Sequence, residues 1–506
     1  MSRANTLYLE TMGCQMNALD SELVMGELLS RGYRTTDDLH GAEIVVINTC
    51  SVRQHAEDKV YSRIGELRGS KAKNPDQIVA IIGCMAERDG EGLLSRDGAV
   101  DVLCGPSDLH RLPALIEEVR ATRRPAIALS GKLRDRSTAP PAAQHDDLEI
   151  LDRGRWFGLS DHVAMPKVFG RHQAYVRITR GCNKYCTFCV VPYTRGPEVH
   201  RPPDSIVDEV RRLAAAGVVE VTLLGQTVNH YHFRDHSGAE TSFAQLLKRV
   251  HDEVPELPRL RFVTSFPRDF TDEALEAMAA SPRICRYLHI PAQSGSNAVL
   301  KRMNRGYSIE EYRGLVDRAR AIMPDISLSG DVIVGFSGET EEDFQATAEL
   351  LRYAQYKNCY IFKYSPRPGT TAHERLPDDV PEEVKRRRNN DLLAVQAQIS
   401  LSRNRTQMDE VLEVLVEGPS KRALKLQESE QDRGCEIDWS IDRPTQLVGR
   451  TRGDQIVVLD GTRDLIGRLV NVQVFACTPY TLHGRLVGTL EKSGQRDLSL
   501  AVLGSC

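Results

Sequence analysis

Cys182, Cys186 and Cys189 stand in the run Arg180-Gly181-Cys182-Asn183-Lys184-Tyr185-Cys186-Thr187-Phe188-Cys189, just after a β-like stretch from Tyr175 to Thr179. A loop of that length can aim three thiolates at one centre, and thiolates hold zinc or iron–sulfur clusters. Closed structural zinc sites take four ligands, and no fourth Cys or His lies within the next ten residues. A cubane cluster held by only three cysteines leaves one iron open to a substrate. A zinc knuckle or unrelated free thiols are the competing readings of the spacing.

Three more cysteines lie far apart in sequence but at equivalent places. Strand-like runs at Thr6–Leu9, Glu43–Asn48, Gln77–Ile82 and Val100–Leu103 alternate with helical patterns, one across Ser21–Arg31 and another from near Val52. Apolar strands alternating with amphipathic helices predict a doubly wound parallel α/β sheet, whose ligands gather at the strand carboxyl ends. Cys14, Cys50 and Cys84 follow the first three strands, and Gly13 and Gly83 beside two of them allow close backbone approach. Buried cysteines are common at strand ends as small hydrophobes, yet three in register point to a second cluster site. Cys104 ends the fourth strand in the same way and reads as a bystander thiol, since a fourth ligand would close the cluster.

Cys-x3-Cys-x-Phe-Cys, with Phe188 as the aromatic, resembles the radical S-adenosylmethionine enzymes. Thr11-Met12-Gly13-Cys14-Gln15-Met16-Asn17 with Asp20-Ser21-Glu22, then Asn48-Thr49-Cys50-Ser51-Val52-Arg53 and Gly83-Cys84-Met85-Ala86, resemble the methylthiotransferases within that group. Gly-Cys-Gln-Met-Asn is similar to their tRNA-modifying branch. The resemblance runs from about residue 5 to about residue 490. It implies two [4Fe-4S] clusters, one on Cys14, Cys50 and Cys84 and one on Cys182, Cys186 and Cys189. It also implies S-adenosylmethionine used twice, as methyl donor and as radical source. The reaction it implies is 2-methylthiolation of N6-isopentenyladenosine beside the anticodon of tRNA. Methylthiolation of threonylcarbamoyl-adenosine, or of an aspartate in a ribosomal protein, are the near alternatives. An RNA-binding iron–sulfur sensor without turnover and a zinc-bound structural protein are the distant ones.

Six further strand–helix units must position the second cysteine loop. Strands are expected at 175–179, 219–224, 259–264, 286–290, 326–334 and 359–363. Helices are expected at Ser205–Ala216, Phe243–Val254, Asp272–Met278, Ile309–Ala321 and Glu341–Tyr353. Six such units suit a partial (β/α)6 barrel with its chemistry at the strand carboxyl ends. Polar and glycine-rich segments sit at those ends, and the resemblance makes them S-adenosylmethionine contacts: Phe188, Gln226, Gln293, Asp331 and Arg367. Phe266 and Ser337 depart from the residues usual in the family, so their own contacts should differ.

After Lys385-Arg386-Arg387-Arg388 and a helix through Leu392–Ser402, five short strands between Asp409 and Val487 predict a small antiparallel barrel of OB-like shape. Residues 420–443 read as a surface loop or local insertion. Arg450–Val487 resembles a TRAM domain, which implies RNA contacts; Arg450, Arg452 and Arg468 suit phosphates and Tyr480 suits base stacking.

The resulting organisation is 4–121 N-terminal domain, 122–167 linker, 168–403 radical domain, 406–489 TRAM domain and 490–506 tail. Arg153, Arg155 and Trp156 in the linker are weaker RNA candidates. The chain has 506 residues, net charge −4 and twelve cysteines, with 41% hydrophobic and 27% charged residues. Twelve cysteines are too sparse for a disulfide scaffold and suit a reducing cytoplasm. No run is apolar enough to span a membrane, and the start of the chain leaves no room for a signal peptide. A nucleic-acid partner must therefore meet a local basic surface. The resemblance also calls for an electron donor such as flavodoxin or ferredoxin, and for iron–sulfur carrier proteins.

Overall fold

Ile44-Val45-Val46-Ile47 and Ile78-Val79-Ala80-Ile81-Ile82 are apolar at every position, and strands of that kind require cover on both faces. The computed structural model, which describes residues 5–51, 54–130, 172–432 and 444–489, provides it. Arg153, Arg155, Trp156 and the 490–506 tail lie outside the described residues. The chain divides into two units, Met1–Ser400 and Leu401–Cys506.

The first part of unit 1 runs β1 (Thr6–Met12), α1 (Gln15–Ser30), β2 (Arg34–Thr35), β3 (Ile44–Thr49), α2 (Gln54–Lys73), β4 (Ile78–Gly83), α3 (Cys84–Asp89), α4 (Gly92–Asp97), β5 (Val102–Cys104), α5 (Leu112–Thr122) and β6 (Ala126–Ala128). Six parallel strands pair in the order β2-β1-β3-β4-β5-β6. Val24, Met25 and Leu28 of α1 pack on one face, and Val60, Ile64 and Leu67 of α2 on the other. The strand order reverses between β1 and β3, and the crevice at such a switch point is where doubly wound sheets bind ligands. Cys14 and Cys50 flank it, and Cys84 opens the helix after β4.

Three details differ from the sequence reading. Helix α1 starts at Gln15, not Ser21, because Asn17 and Asp20 turn inward to buried polar partners instead of breaking the helix. Two short strands, β2 and β6, are additional. Residues 126–128, assigned to the linker on their lack of pattern, form β6, with Cys104 opposite Ala128.

The second part supplies all six expected strands: β7 (Gln173–Arg177), β10 (Glu220–Leu224), β13 (Arg259–Val263), β14 (Tyr287–His289), β15 (Ser327–Val334) and β16 (Asn358–Lys363). Short pieces β8 (Thr179–Arg180), β9 (Val199–His200), β11 (His232–Arg234) and β12 (Glu240–Ser242) fill the loops. Two parallel three-stranded sheets, β13-β10-β7 and β14-β15-β16, meet through a parallel bridge from Leu260 to Ile284. Between them the strands keep chain order, as a (β/α)6 partial barrel requires. Outer helices include α6 (Val191–Thr194), α7 (Pro203–Ala215), α8 (Phe243–Glu253), α9 (Asp272–Ala280), α10 (Asn297–Arg302), α11 (Ile309–Ile322), α12 (Glu341–Ala354), α13 (Thr371–Arg375) and α14 (Glu382–Arg405). Capping boxes at Ser242/Gln245, Ser308/Glu311 and Thr340/Asp343 fix the starts of α8, α11 and α12. The two parts of unit 1 are joined by Met16, Leu19 and Leu23 of α1, which pack on Leu224 with Tyr175 and Val263 beside it. Helix α1 thus lies against the strand ends of the barrel.

Unit 2 is a closed barrel, β17 (Val411–Pro419), β18 (Thr445–Thr451), β19 (Ile456–Gly461), β21 (Leu482–Thr489) and β20 (Leu469–Cys477), in the order β17-β18-β19-β21-β20. It is not wholly antiparallel, because β21 runs parallel to β19 to close the ring. Residues 421–432, expected as loop, form helix α15 (Lys421–Asp432), seated on the Ser420 hydroxyl through the Ala423 amide. The remainder of that segment, 433–443, lies outside the described residues. Among the described residues no helix is long and apolar enough to cross a membrane.

Gly83 ties this fold to the cysteine crevice. Its φ is +94°, and a Cβ there would meet Asn48 Oδ1 at 2.4 Å and the Thr49 carbonyl at 2.7 Å. Gly83→Ala is expected to lower unfolding stability by about 1–3 kcal/mol, through overpacking and a disfavoured backbone. An unchanged urea midpoint would contradict this.

Candidate active site

Cys14 leaves β1 as the N-cap residue of α1, and its thiol donates to Asn17 Oδ1 at 3.1 Å. A hydrogen bond with Cys50 lowers the Cys14 thiol to about 6; burial opposes the shift, and the Arg195 cation assists it. Asn17 is fully buried and donates to Asn48 Oδ1 at 2.8 Å and the Thr49 carbonyl at 2.9 Å, which locks the ends of β1 and β3 together. Cys84 is within electrostatic range of Cys14, and burial pushes its thiol up against the pull of Arg195. The three strand-end cysteines converge.

Arg195 comes from the other part of the unit, just past α6. Its Nε donates to Cys84 Sγ at 3.3 Å and its Nη2 to Asp20 Oδ2 at 2.7 Å. The Arg195 side chain is 2% exposed and that of Asp20 0%, and Arg177 approaches the same carboxylate at 3.7 Å. The remaining amino nitrogen, Nη1, is buried with no hydrogen-bond partner. A donor left over on a guanidinium that touches Cys84 and lies within electrostatic range of Cys14 fits an acceptor-rich inorganic cluster, because buried donors are normally satisfied. Cys104 is different: its thiol donates to the Asp108 carbonyl at 3.2 Å, and burial raises it well above the usual range.

Cys182, Cys186 and Cys189 also converge, each acting electrostatically on its neighbours. Burial raises the Cys182 and Cys189 thiols. The loop is closed by Cys182 N donating to the Gly196 carbonyl at 3.1 Å, and Cys182 Sγ lies 3.7 Å from Thr227 Oγ1. Gly181, at φ +79°, has no alternative, since a Cβ would meet the Pro197 carbonyl at 1.9 Å. Arg305 serves this triad as Arg195 serves the other: its Nη1 donates to Cys186 Sγ at 3.3 Å and its Nη2 to the Pro291 carbonyl at 2.8 Å. Phe266 lies under both Arg305 (4.4 Å) and Lys184 (5.1 Å), with Tyr307 edge-on. That cation–π stack is the particular contact of this departing residue.

Of the expected S-adenosylmethionine contacts, Gln293 and Asp331 come together. Gln293 adopts φ +72°, its amide donates to the Asp331 carbonyl at 2.8 Å, and Asp331 Oδ1 lies 3.1 Å from His289 Nε2. A left-handed glutamine is strained, and strain of this kind clusters at ligand sites. Gln226 precedes Thr227 and keeps its Oε1 buried without a partner. Phe188 packs edge-on against Phe336 at 6.4 Å. Arg367 reaches Glu57 of α2 at 2.7 Å and is within electrostatic range of Cys50, so it stands on the side of the first triad.

In unit 2, the expected phosphate-binding arginines face carboxylates: Arg450 with Asp454 (2.8 Å) and Glu417 (3.2 Å), Arg452 with Glu413 (3.8 Å) and Arg468 with Asp464 (3.7 Å). Tyr480 is 66% exposed. Phe475, half exposed on β20 with Arg485 stacked over it at 5.2 Å, forms a second aromatic platform absent from the sequence reading. Arg195, Arg305 and Asp20 were likewise assigned no role. Arginines and acids read as surface residues by default, and the one available signal was the position of Asp20 within the first cysteine motif.

Comparison with known proteins matches this layout piece by piece. Residues 6–105 match the uncharacterized protein family UPF0004, 176–351 the radical SAM superfamily and 440–487 the TRAM domain. A radical S-adenosylmethionine methyltransferase from Kitasatospora setae, TsrM, shares the fold with TM-score 0.52 at 18% identity, over 73% of this chain and 74% of that one. Two curated relatives are named tRNA-2-methylthio-N(6)-dimethylallyladenosine synthase. The protein from Rhodopirellula baltica is 44% identical over 96% of each chain, and that from Opitutus terrae 40% over 96% of this chain and 98% of its own. A third of the same name, from Shigella boydii, is 38% identical over 97% and 94%. The chain belongs to the family of tRNA-2-methylthio-N(6)-dimethylallyladenosine synthases.

Arg195→Ala would leave Asp20 buried beside only a longer-range cation, and breaking a buried pair costs about 3–5 kcal/mol. Urea unfolding should register a loss of that order, with Arg195→Lys losing less. A midpoint within error of wild type would show that the pair does not hold the two parts together.

Proposed function

We propose that the chain adds a methylthio group to carbon 2 of the adenine in N6-isopentenyladenosine beside the anticodon of tRNA. The observation that carries this is the pair of three-cysteine sites in one unit, bridged by an arginine that lies beside one site and follows the loop of the other. The names of the family relatives supply the substrate. An aromatic C–H offers no acidic proton, so side-chain acid–base catalysis does not suffice. When bound, two [4Fe-4S] clusters and S-adenosylmethionine would supply the electron, sulfur and methyl group the reaction needs.

The residues present fit those groups. Cys14, Cys50 and Cys84 are proposed to hold one cluster and Cys182, Cys186 and Cys189 the other, each triad leaving an iron without a protein ligand. Arg195 and Arg305 would offset the negative charge of the thiolates and orient one sulfur apiece. Phe188, Gln226, Gln293 and Asp331 are proposed to position S-adenosylmethionine. Arg367, clamped by Glu57, would border the first site on the side of Cys50. Phe475, Arg485 and Tyr480 are the proposed tRNA contacts of the barrel, with Arg450, Arg452 and Arg468 on its charged surface. A reducing cytoplasm, a flavodoxin or ferredoxin as electron donor and iron–sulfur carriers complete the proposal.

The test is reaction of the reconstituted enzyme with S-adenosylmethionine, a reductant and tRNA bearing isopentenyladenosine, followed by mass spectrometry of the nucleosides. The methylthio nucleoside should appear. Product only from threonylcarbamoyl-adenosine tRNA or from the ribosomal protein would overturn the assignment. Phe475→Ala should weaken tRNA binding by about 1–3 kcal/mol, the worth of one stacked base. Unchanged binding would remove Phe475 from the interface.

A further inference from the structure

Glu198, His200 and His230 form a cluster that the proposed reaction does not use. Hairpin β8–β9 carries the loop of Cys182, Cys186 and Cys189 between its strands, with Thr179 opposite His200. Glu198 and His200 are two residues apart on its returning arm, so their side chains share a face. His230 ends the turn after β10, three residues beyond the Thr227 hydroxyl that touches Cys182. One potential ligand atom from each side chain lies within 4.8 Å of the others.

The polar groups here are incompletely satisfied. Glu198 is 2% exposed in its side chain, and its Oε2 lies 2.5 Å from His230 Nδ1. Its other oxygen, Oε1, is buried with no hydrogen-bond partner, and so is His200 Nδ1. Burying an ionised carboxylate oxygen and an imidazole nitrogen unpaired is costly, so native structures rarely leave two side by side. The Glu198–His230 pair, made through Oε2, accounts for neither of these atoms. Lys184, a nearby cation of the cysteine loop, is itself paired with Asp269.

We propose that Glu198, His200 and His230 bind a single divalent transition metal of the zinc class, separate from both cysteine triads. Two imidazoles and a carboxylate are a familiar zinc donor set, with a fourth position left to water. Ligand atoms around tetrahedral zinc lie about 3.3 Å apart, so the exposed His230 ring must swing inward to close the site. A metal there clamps the exit arm of the cysteine loop to the turn that carries Thr227. It stiffens the loop without using a thiol.

The test uses the chain with its iron–sulfur clusters reconstituted, equilibrated with Zn²⁺ and freed of excess metal. Elemental analysis should find about one zinc per chain, and zinc-edge X-ray absorption should show nitrogen and oxygen at about 2.0–2.1 Å, with no sulfur near 2.3 Å. His200→Ala, His230→Ala and Glu198→Gln should each weaken retention at least about tenfold, since even loss of a supporting contact costs that much. Iron and sulfide content should be unchanged. Failure of wild type to retain zinc, a sulfur shell, or variants that bind as wild type would overturn the proposal. The wild-type spectrum decides the matter even where a variant fails to fold.

Discussion

The buried contact of Arg195 with Asp20 and Cys84 is the interaction on which the arrangement of unit 1 depends. A guanidinium so deeply enclosed is tolerable only where its charge is met. Asp20 supplies the charge and Cys84 an acceptor, both from the doubly wound part, whereas Arg195 follows the cysteine loop of the barrel part. One side chain therefore fixes the distance between two sites of very different sequence origin. The apolar seam of Met16, Leu19, Leu23 and Leu224 runs alongside it. Dispersion and burial hold the parts together there, and the ion pair sets their register.

Each triad is built on the same physical plan. A glycine in a left-handed conformation brings backbone close behind a cysteine, three thiols meet in a largely buried space, and an arginine donates to one sulfur. The difference lies in how the cysteines are gathered. The barrel site draws all three from a single eight-residue loop, whereas the other collects one from each of three strand ends. The second arrangement needs the whole sheet to be correct, and the Asn17–Asn48 pair beneath it couples two of those strands directly. Arg195 reaches Cys84 and Arg367 comes within electrostatic range of Cys50, so the barrel part contributes cations to the crevice of the doubly wound part.

Much of this was legible in the amino-acid sequence because the signals were of the kinds that one chain can carry. Six barrel strands and their helices follow from apolar runs alternating with helical patterns, and the convergence of Cys14, Cys50 and Cys84 follows from the parallel-sheet rule. What was missed depends on tertiary contacts. Strand β6 has only three residues and gains its identity from pairing with β5. Helix α1 begins early because Asn17 and Asp20 find buried partners that local propensity does not anticipate. Arg305, Phe475 and the Glu198–His200–His230 group acquire meaning only from neighbours distant along the chain. Arg367 lay at an expected strand end but turned toward Glu57.

The central claim is that the chain holds two independent clusters, and metal counting tests it most directly. Iron and sulfide should be measured on anaerobically reconstituted wild type and on the variant Cys182→Ala/Cys186→Ala/Cys189→Ala. About eight irons falling to about four, by cubane stoichiometry, is the predicted result and assigns the remaining cluster to Cys14, Cys50 and Cys84. About four irons falling to none would contradict the account, leaving a single-cluster enzyme with no second site to deliver sulfur.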